Sequence, residues 1–133
     1  MALISPNPVN WFELPVVDLP RAIKFYEQAF EVQMSPIDEV GGNKMSFFPM
    51  EMSAPGAGGS LIHLPQVQPS AMGATIYFKV ASIEPVLTKI QAAGGKICMP
   101  RTSIGQYGFI AQFIDSEGSR VALHETPPGQ PAG

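Results

Sequence analysis

The stretch VNWFELPVVDLPRAIKFY, residues Val9–Tyr26, returns in weaker form 64 residues later as GATIYFKVASIEPVLTKI, residues Gly73–Ile90. Apolar residues recur in step in the two copies: Phe12/Ile76, Leu14/Phe78, Val16/Val80, Leu19/Ile83, Ala22/Val86 and Ile23/Leu87. Self-similarity at a fixed offset indicates one supersecondary unit that is used twice. We therefore predict that the fold has two similar halves and that any site lies between them.

Length and composition bound the class of protein. A chain of 133 residues is long enough for one domain with a hydrophobic core and too short for two ordinary domains. A composition that is 45% hydrophobic and 14% charged is typical of a soluble domain that buries much of its surface, within itself or in an oligomer. The sequence therefore predicts one domain, residues 1–133, made of two halves.

Charge and hydropathy exclude several partners and locations. The net charge of −3, with eight Lys and Arg spread along the chain, offers no basic stripe for nucleic acid. The apolar runs have the length of strands, and the first residues, MALISP, are too short for a signal peptide. We expect a cytoplasmic protein with no nucleic-acid or membrane partner. Cys98 is the only cysteine, so an intrachain disulfide is excluded.

Periodicity and turn residues predict the same element order in each half: strand, helix, then three strands. In the first half Asp18 caps a helix that carries Pro20 in its first turn and ends before Pro36. The first half has predicted strands at 11–17 and 60–64 and a predicted hairpin at 44–50. The second half has a predicted helix at 84–93 and predicted strands at 74–80, 96–99, 107–114 and 119–125. This is an α+β fold of two βαβββ modules, about 9–64 and 73–126, with a linker at about 65–72 and a disordered tail at 127–133.

Three motifs connect the chain to a known family. They are LPVVDLPRAIKFYEQAF (Leu14–Phe30), AAGGKI (Ala92–Ile97) and GFIAQFIDSEGSRVALHE (Gly108–Glu125). Together they resemble the vicinal oxygen chelate superfamily, which includes glyoxalase I, bleomycin-resistance proteins, fosfomycin-resistance enzymes and extradiol dioxygenases. Ser116 stands where the family usually has proline. The resemblance implies a curved mixed sheet that encloses a cavity.

The resemblance also implies one divalent metal, held by His, Gln or Glu from the first and last strands of each half. Carried over by position, three of these sites fall on Trp11, Thr75 and Ala122, and the fourth falls on Ile62 or His63. Tryptophan and alanine cannot ligate a metal, and a threonine hydroxyl is a poor ligand for a divalent transition ion. We therefore expect no metal cofactor at the usual site, and the family's metal-dependent reactions are in question.

Strand alternation predicts what lines the cavity instead. The predicted ligand-binding residues are Trp11, Glu13, Thr75, Tyr77, Lys79, Tyr107, Ala122 and His124. Glu13 and His124 are the candidates for acid–base catalysis. The alternatives are that Glu13 pairs with Lys79 or Arg120 across the sheet or interacts with solvent at the rim, and that His124 is hydrogen-bonded in the sheet without a chemical role. One alternative is a displaced divalent metal site built from Glu13, His63 and His124.

The leading hypothesis is a metal-free member of the superfamily that binds a small organic molecule between its halves, as in bleomycin resistance. Two alternatives stay open: a glyoxalase-like lyase, isomerase or dioxygenase with a displaced metal, and a scaffold whose cavity is filled by its own side chains. The resemblance and the low charge content favour a homodimer. Bleomycin-binding members have acidic clefts for a cationic drug, and the charge of −3 points in that direction.

Overall fold

The architecture comes from a computed structural model that describes residues 2–129. Residues 130–133 of the predicted disordered tail lie outside this range. The first half contains β1 (Trp11–Pro15), α1 (Leu19–Phe30), β2 (Asp38–Val40), β3 (Asn43–Phe47) and β4 (Gly58–His63). The second half contains β5 (Tyr77–Lys79), α2 (Ile83–Ala92), β6 (Lys96–Ser103), a 3-10 turn (Gly105–Tyr107), β7 (Phe109–Ile114) and β8 (Arg120–Glu125).

The helix α1 forms for the local reasons that its sequence indicates. Asp18 has an extended backbone, and its side chain accepts a hydrogen bond from the Arg21 N–H at 3.0 Å. Pro20 occupies the first turn, where its missing N–H is not needed. The helix ends at Glu31, whose φ of +54° is left-handed. Its buried face is apolar: Leu19, Ala22, Phe25, Tyr26 and Ala29.

Each half contributes one four-stranded sheet. The first sheet has the order β1-β4-β3-β2 and the second has the order β5-β8-β7-β6. In both, the first strand pairs parallel to the last strand and the other pairs are antiparallel. The prediction of an α+β fold with two βαβββ modules is therefore confirmed. Within residues 2–129 the two sheets are not joined into a closed one, and β1 and β5 are edge strands.

Most predicted strands have different bounds in the structure, the largest trimming being 74–80 to β5 (Tyr77–Lys79), and tertiary structure explains two of the differences. The strand predicted at 107–114 begins at Phe109, because Gly108 takes a φ of +105° that ends the preceding 3-10 turn. The strand predicted at 96–99 continues to Ser103 through Pro100. Proline is tolerated there because β6 is an edge strand with register shifts against β7. None of the described helices has the length and apolar character that crossing a membrane requires.

The core lies between the helices and the helix-facing side of each sheet. The helix α1 packs on β3 and β4, α2 packs on β6, β7 and β8, and the two helices contact each other. Phe78 of the second half joins the halves, since its ring contacts Phe12, Phe30 and Phe48 at centroid separations of 5.5, 4.9 and 5.2 Å. Such aromatic pairs contribute about 0.5–1.5 kcal/mol each beyond their buried area.

A buried polar cluster also joins the halves, and we call it the Glu117 clamp. The Glu117 carboxylate in the β7–β8 turn accepts hydrogen bonds from the backbone N–H groups of Val17 and Asp18 at 2.9 and 2.8 Å. It also accepts from Arg21 Nε at 2.7 Å and Nη2 at 3.0 Å, and from Ser116 Oγ at 2.9 Å. Burial opposes the charge, but these donors outweigh it and hold the pKa of Glu117 below its usual value.

The adjacent Asp115 behaves in the opposite way. Its Oδ2 accepts a hydrogen bond from Tyr26 Oη at 2.6 Å, and its Oδ1 accepts from the N–H groups of Glu117 and Ser119. Burial, together with the nearby charge of Glu117, raises the pKa of Asp115 despite these bonds. Burial first, and then the charge of Asp115, raises the pKa of Tyr26 well above its ordinary value. The tyrosine hydroxyl is therefore a stable donor that links α1 to the second half.

Candidate functional site

A cavity of about 1180 Å³ lies between the two halves, and we call it the inter-module cavity. Its wall is mainly apolar and includes four phenylalanines: Phe12, Phe30, Phe48 and Phe78. Few polar groups line it: Thr75, Tyr77, Lys79, His124 and Thr126. The loop residues Pro55, Gly56 and Ala57, together with Ile104, also line the cavity. An apolar wall with a few polar groups is typical of a small-molecule site.

The glycines of β4 explain how Phe12 comes to form part of the wall. A Cβ atom at Gly59 would overlap the Phe12 ring, so the ring lies directly against the Gly59 backbone. Glycine inside a strand often marks such a close approach. At Gly58, on the opposite face, a Cβ would meet Met50 Sδ at 2.8 Å and Trp11 Cζ3 at 3.2 Å. The glycine pair therefore admits large side chains on both faces of the first sheet.

The structure brings together half of the predicted ligand-binding residues. Thr75, Tyr77, Lys79 and His124 all line the inter-module cavity. The other four lie outside its lining: Trp11, Glu13, Tyr107 and Ala122. Their predicted part in ligand binding stays a prediction. Sequence reasoning did not place the four phenylalanines in the cavity. Phe12 and Phe78 alternate with the predicted cavity residues along their strands, so they were expected on the opposite face.

Trp11 and Glu13 lie on the face of the first sheet that no helix covers, which we call its open face. The Trp11 side chain is 36% exposed and packs edge-on against Phe47 at a centroid distance of 5.8 Å. Ala122 is fully buried on the corresponding face of the second sheet. Tyr107 is 66% exposed in the 3-10 turn. Within one chain these side chains therefore do not form a single pocket with Lys79 and His124.

The two candidates for acid–base catalysis have different surroundings. Glu13 is exposed, and the ion pairs of the described residues do not include it: Arg21–Glu117, Lys89–Glu31 and Arg101–Glu125. Arg120, its predicted partner, instead donates to the Ala71 carbonyl at 3.0 Å and to Gln112 Oε1 at 3.2 Å. His124 lies in the cavity wall, where its Nε2 contacts the Tyr107 carbonyl at 2.8 Å. Only His124 could act directly on a molecule in this cavity.

Strand register identifies the fourth family metal position, which the sequence left between Ile62 and His63. The repeat matches Glu13 with Tyr77, and Ala122 lies beside Tyr77 in the second sheet. The residue beside Glu13 in the first sheet is Ser60. Ser60 is therefore the counterpart of Ala122, and the expectation of Ile62 or His63 is corrected. The Ser60 hydroxyl is fully buried and is the one buried side-chain polar atom of the described residues that has no hydrogen-bond partner.

The residues at the family's metal positions do not fit a divalent ion. They are Trp11, Ser60, Thr75 and Ala122, none of which supplies an imidazole or a carboxylate. The displaced site of Glu13, His63 and His124 stays a prediction, although the strand geometry of a single chain does not favour it. His63 follows the helix-facing Leu61 by two residues, so it lies on the opposite face from Glu13. Among the described residues, no three His, Cys, Asp or Glu side chains lie close enough to hold a metal.

Comparison with known proteins identifies the family. The model of the Glyoxalase/Bleomycin resistance protein/Dioxygenase superfamily matches residues 9–123 of this chain. The chain belongs to this superfamily. The resemblance inferred from the three sequence motifs is thereby confirmed, and the glyoxalase-like fold is that of the superfamily.

Individual relatives are distant. The chain is 27% identical over 118 residues to the Mycobacterium tuberculosis protein named "Putative glyoxylase CFP32", and it spans 44% of that protein's length. Among solved structures it is similar to glyoxalase I from Zea mays, with a TM-score of 0.68 and 22% identity over 89% of this chain and 46% of that chain. It therefore spans less than half the length of these two relatives.

Other similar structures have about the same length as this chain. A glyoxalase-related enzyme from Fulvimarina pelagi has a TM-score of 0.69 and 16% identity, over 94% of both chains. TnmS3, an antibiotic binding protein from Streptomyces sp. CB03234, has a TM-score of 0.66 and 17% identity over 96% of this chain and 100% of that chain. At these identities the likeness establishes the fold, and function has to be argued from the site.

Proposed function

We propose that this superfamily member binds a small organic molecule in the inter-module cavity, without a metal ion at the family's ligand positions. One observation carries the proposal: a cavity of about 1180 Å³ has a largely apolar wall with a few polar side chains. Pockets that bind small molecules have this character, and their polar groups fix the orientation of the ligand. The volume argues against the alternative of a scaffold filled by its own side chains.

The chemistry of the metal positions supports a binder over a metal-dependent enzyme. Catalysis by a bound metal needs ligands that hold the ion and keep a position open for substrate. Trp11 and Ala122 cannot be such ligands, and Ser60 and Thr75 offer only hydroxyls. TnmS3, which has the same fold and length, is an antibiotic binding protein, so this fold supports binding as a function in itself.

The alternative is a glyoxalase-like lyase, isomerase or dioxygenase. Its support is His124, the acid–base candidate in the cavity wall, together with the enzyme names of several relatives. Elemental analysis distinguishes the two functions. The protein is incubated with zinc, nickel, manganese and iron in turn, desalted and analysed by mass spectrometry. Near-stoichiometric retained metal, lost in His124→Ala or Glu13→Ala, would contradict the metal-free proposal.

The binding proposal is tested by a variant that narrows the cavity. Val86 lines the cavity from α2, whereas Thr88 is exposed on the same helix. We expect compounds that stabilise the natural protein in a thermal-shift screen to stabilise Thr88→Trp equally and to stabilise Val86→Trp less. A compound at 100 times its dissociation constant adds about 2.7 kcal/mol to stability. Equal stabilisation of both variants would place the ligand elsewhere.

We also propose that the chain works as a cytoplasmic homodimer, in which a second copy covers the open faces. Trp11 is 36% exposed and Tyr77 is 47% exposed, each on the edge strand of its sheet. Large apolar side chains and unpaired edges on one surface are typical of an interface. Sedimentation at several concentrations measures the association, and a Trp11→Lys variant is expected to shift it toward monomer. A natural protein that stays monomeric at all concentrations would contradict this part of the proposal.

A further inference from the structure

We infer that the ligand of the inter-module cavity is an organic anion with an aromatic body, and that Lys79 binds its charged group. This inference rests on the proposed function, since it names the chemical class of the small molecule. It differs from the expectation raised by the net charge of the chain, which pointed to a cationic ligand. The cavity wall carries charge of the opposite kind.

The charges of the wall differ from those of the whole chain. The protein has eleven Asp and Glu against eight Lys and Arg. The described residues that line the cavity nevertheless include no Asp or Glu, whereas they include Lys79 and His124. A cation that enters this cavity would lose part of its hydration shell, and no carboxylate of the described lining would compensate for that loss. An anion would meet the ammonium group of Lys79.

Strand register brings these two side chains together. Lys79 of β5 lies beside His124 of β8 in the parallel pair, and side chains at paired positions lie on the same face. Neighbouring strands are about 4.8 Å apart, so an anion bound by the Lys79 ammonium group would lie beside the His124 ring. The His124 ring is held in place by the hydrogen bond that its Nε2–H donates to the Tyr107 carbonyl at 2.8 Å. Lys79 is therefore the residue of this pair that supplies the positive charge.

None of the ion pairs of the described residues includes Lys79. Glu125 follows His124 in sequence and lies on the other face of β8. Its Oε1 accepts hydrogen bonds from the Ile83 N–H at 2.8 Å and from Arg101 Nε at 3.2 Å, and its Oε2 accepts from Arg101 Nη2 at 2.8 Å. Arg101 is itself stacked on the Phe109 ring at 3.6 Å. Glu125 is thus already paired with Arg101, which leaves Lys79 to interact with a ligand of the cavity that it lines.

The rest of the wall determines the body of the ligand. Four phenylalanine rings line the cavity: Phe12, Phe30, Phe48 and Phe78. These rings favour a flat aromatic group in the ligand, because edge-to-face contacts between rings add binding free energy to that of apolar burial. A volume of about 1180 Å³ is far larger than one benzene ring needs, so a fused ring system fits better than a single ring. The probe chosen is therefore a naphthalene.

The inference is tested with three naphthalene probes of equal size: 2-naphthoate, neutral 2-naphthamide and 2-naphthylmethylammonium. Calorimetry and thermal shift are applied to the natural protein, to Lys79→Met and to Lys24→Met, which removes an exposed lysine outside the cavity lining. We expect naphthoate to bind about tenfold more tightly than the amide, and the cation to bind most weakly. In Lys79→Met the naphthoate affinity falls to that of the amide. Lys24→Met leaves all three affinities unchanged, and Lys79→Arg keeps the preference for the anion.

Each other outcome overturns a stated part. Equal affinity for naphthoate and naphthamide in the natural protein refutes the anion inference and leaves the proposed binding function intact. A preference for the anion that survives in Lys79→Met refutes the role of Lys79. Tightest binding of the ammonium probe refutes the inference and supports a cationic ligand. The absence of both heat and thermal shift for all three probes overturns the inference of an aromatic ligand, whereas the proposed binding function is tested separately by the compound screen with Val86→Trp and Thr88→Trp.

Discussion

Replacing Glu117 by Gln tests whether the Glu117 clamp holds the two halves together. The substitution keeps the shape of the side chain and one acceptor oxygen, so the backbone N–H groups of Val17 and Asp18 keep a partner. It also removes the negative charge. In the natural protein Arg21 Nε donates to Glu117 Oε2 at 2.7 Å, and the substitution places an amide NH₂ group, which is itself a donor, at that position. Both changes weaken the contact between α1 and the β7–β8 turn.

The expected loss of stability follows from these contacts. A hydrogen bond to a charged acceptor is about twice as strong as a neutral one, so each of the two backbone bonds loses about 0.5–1 kcal/mol. The Arg21 side chain is 53% exposed and can turn to water, which limits the loss of its ion pair to about 1 kcal/mol. We expect Glu117→Gln to lower the free energy of unfolding by about 2–3 kcal/mol at pH 7.

The effect should depend on pH in a defined direction. Burial alone would raise the pKa of Glu117, but its hydrogen bonds with Arg21 and the other donors lower it in the folded protein. A carboxylate whose folded pKa is depressed contributes stability above its unfolded pKa of about 4.3, and that stability is lost as the pH falls through the folded pKa. The raised pKa of Asp115 has the opposite sign, but both proteins contain Asp115, so it largely cancels in the comparison. The difference between natural protein and variant should therefore shrink below about pH 4.3.

Urea unfolding followed by circular dichroism and by the fluorescence of Trp11, the single tryptophan, measures both effects. Unfolding is recorded at pH 7 and at several values below pH 4.3. Glu39→Gln is the matched control, because Glu39 is exposed on β2. A loss at pH 7 below about 0.5 kcal/mol, or one that stays the same at low pH, would refute the reasoning.

Three further substitutions test other parts of the structure, each by urea unfolding at pH 7. Ser60→Ala removes a buried hydroxyl without a partner, so we expect unchanged or higher stability, by up to about 1 kcal/mol; a clear loss would mean that the hydroxyl has a partner. Gly59→Ala forces the Phe12 ring out of its place, so we expect it to lower the free energy of unfolding by about 1–3 kcal/mol and to weaken naphthoate binding. A variant with the stability and the naphthoate affinity of the natural protein would contradict the packing of Phe12 on Gly59. Tyr26→Phe removes the 2.6 Å hydrogen bond to Asp115 and should cost about 1.5–3 kcal/mol; a neutral effect would show that this bond contributes nothing net.

Much of the fold could be predicted because its signals are local. The Asp18 cap, Pro20 and the apolar face of α1 lie within one stretch of twelve or so residues and act on the same helix. The repeat extends that information to the second half, so the order of elements is correct in both. Errors fall where a distant segment decides a boundary, as at Pro100, which an edge strand tolerates.

The site was predicted only in part. Alternation within one strand was enough to place Tyr77, Lys79 and His124 on one face. The assignment of Ser60 to the fourth metal position needed the pairing of β1 with β4, which joins residues 47 apart in the chain. Strand alternation put Phe12 and Phe78 on the face opposite the predicted cavity residues, because a sequence does not show that a cavity opens at the edge of a sheet and is lined by both faces of its edge strand.

The sequence by itself therefore determined the two-module α+β fold, the family and the loss of metal-binding side chains at Trp11, Thr75 and Ala122. Each of these conclusions depends on residue types and on short spacings along the chain, and both can be read directly from the sequence. Only the tertiary structure decided that Ser60 is the counterpart of Ala122, that the described lining of the cavity contains no acidic residue, and that Glu117 reaches α1. These features arise where segments far apart in sequence pack together. Their packing depends on many contacts formed at the same time, so no short stretch of sequence specifies it.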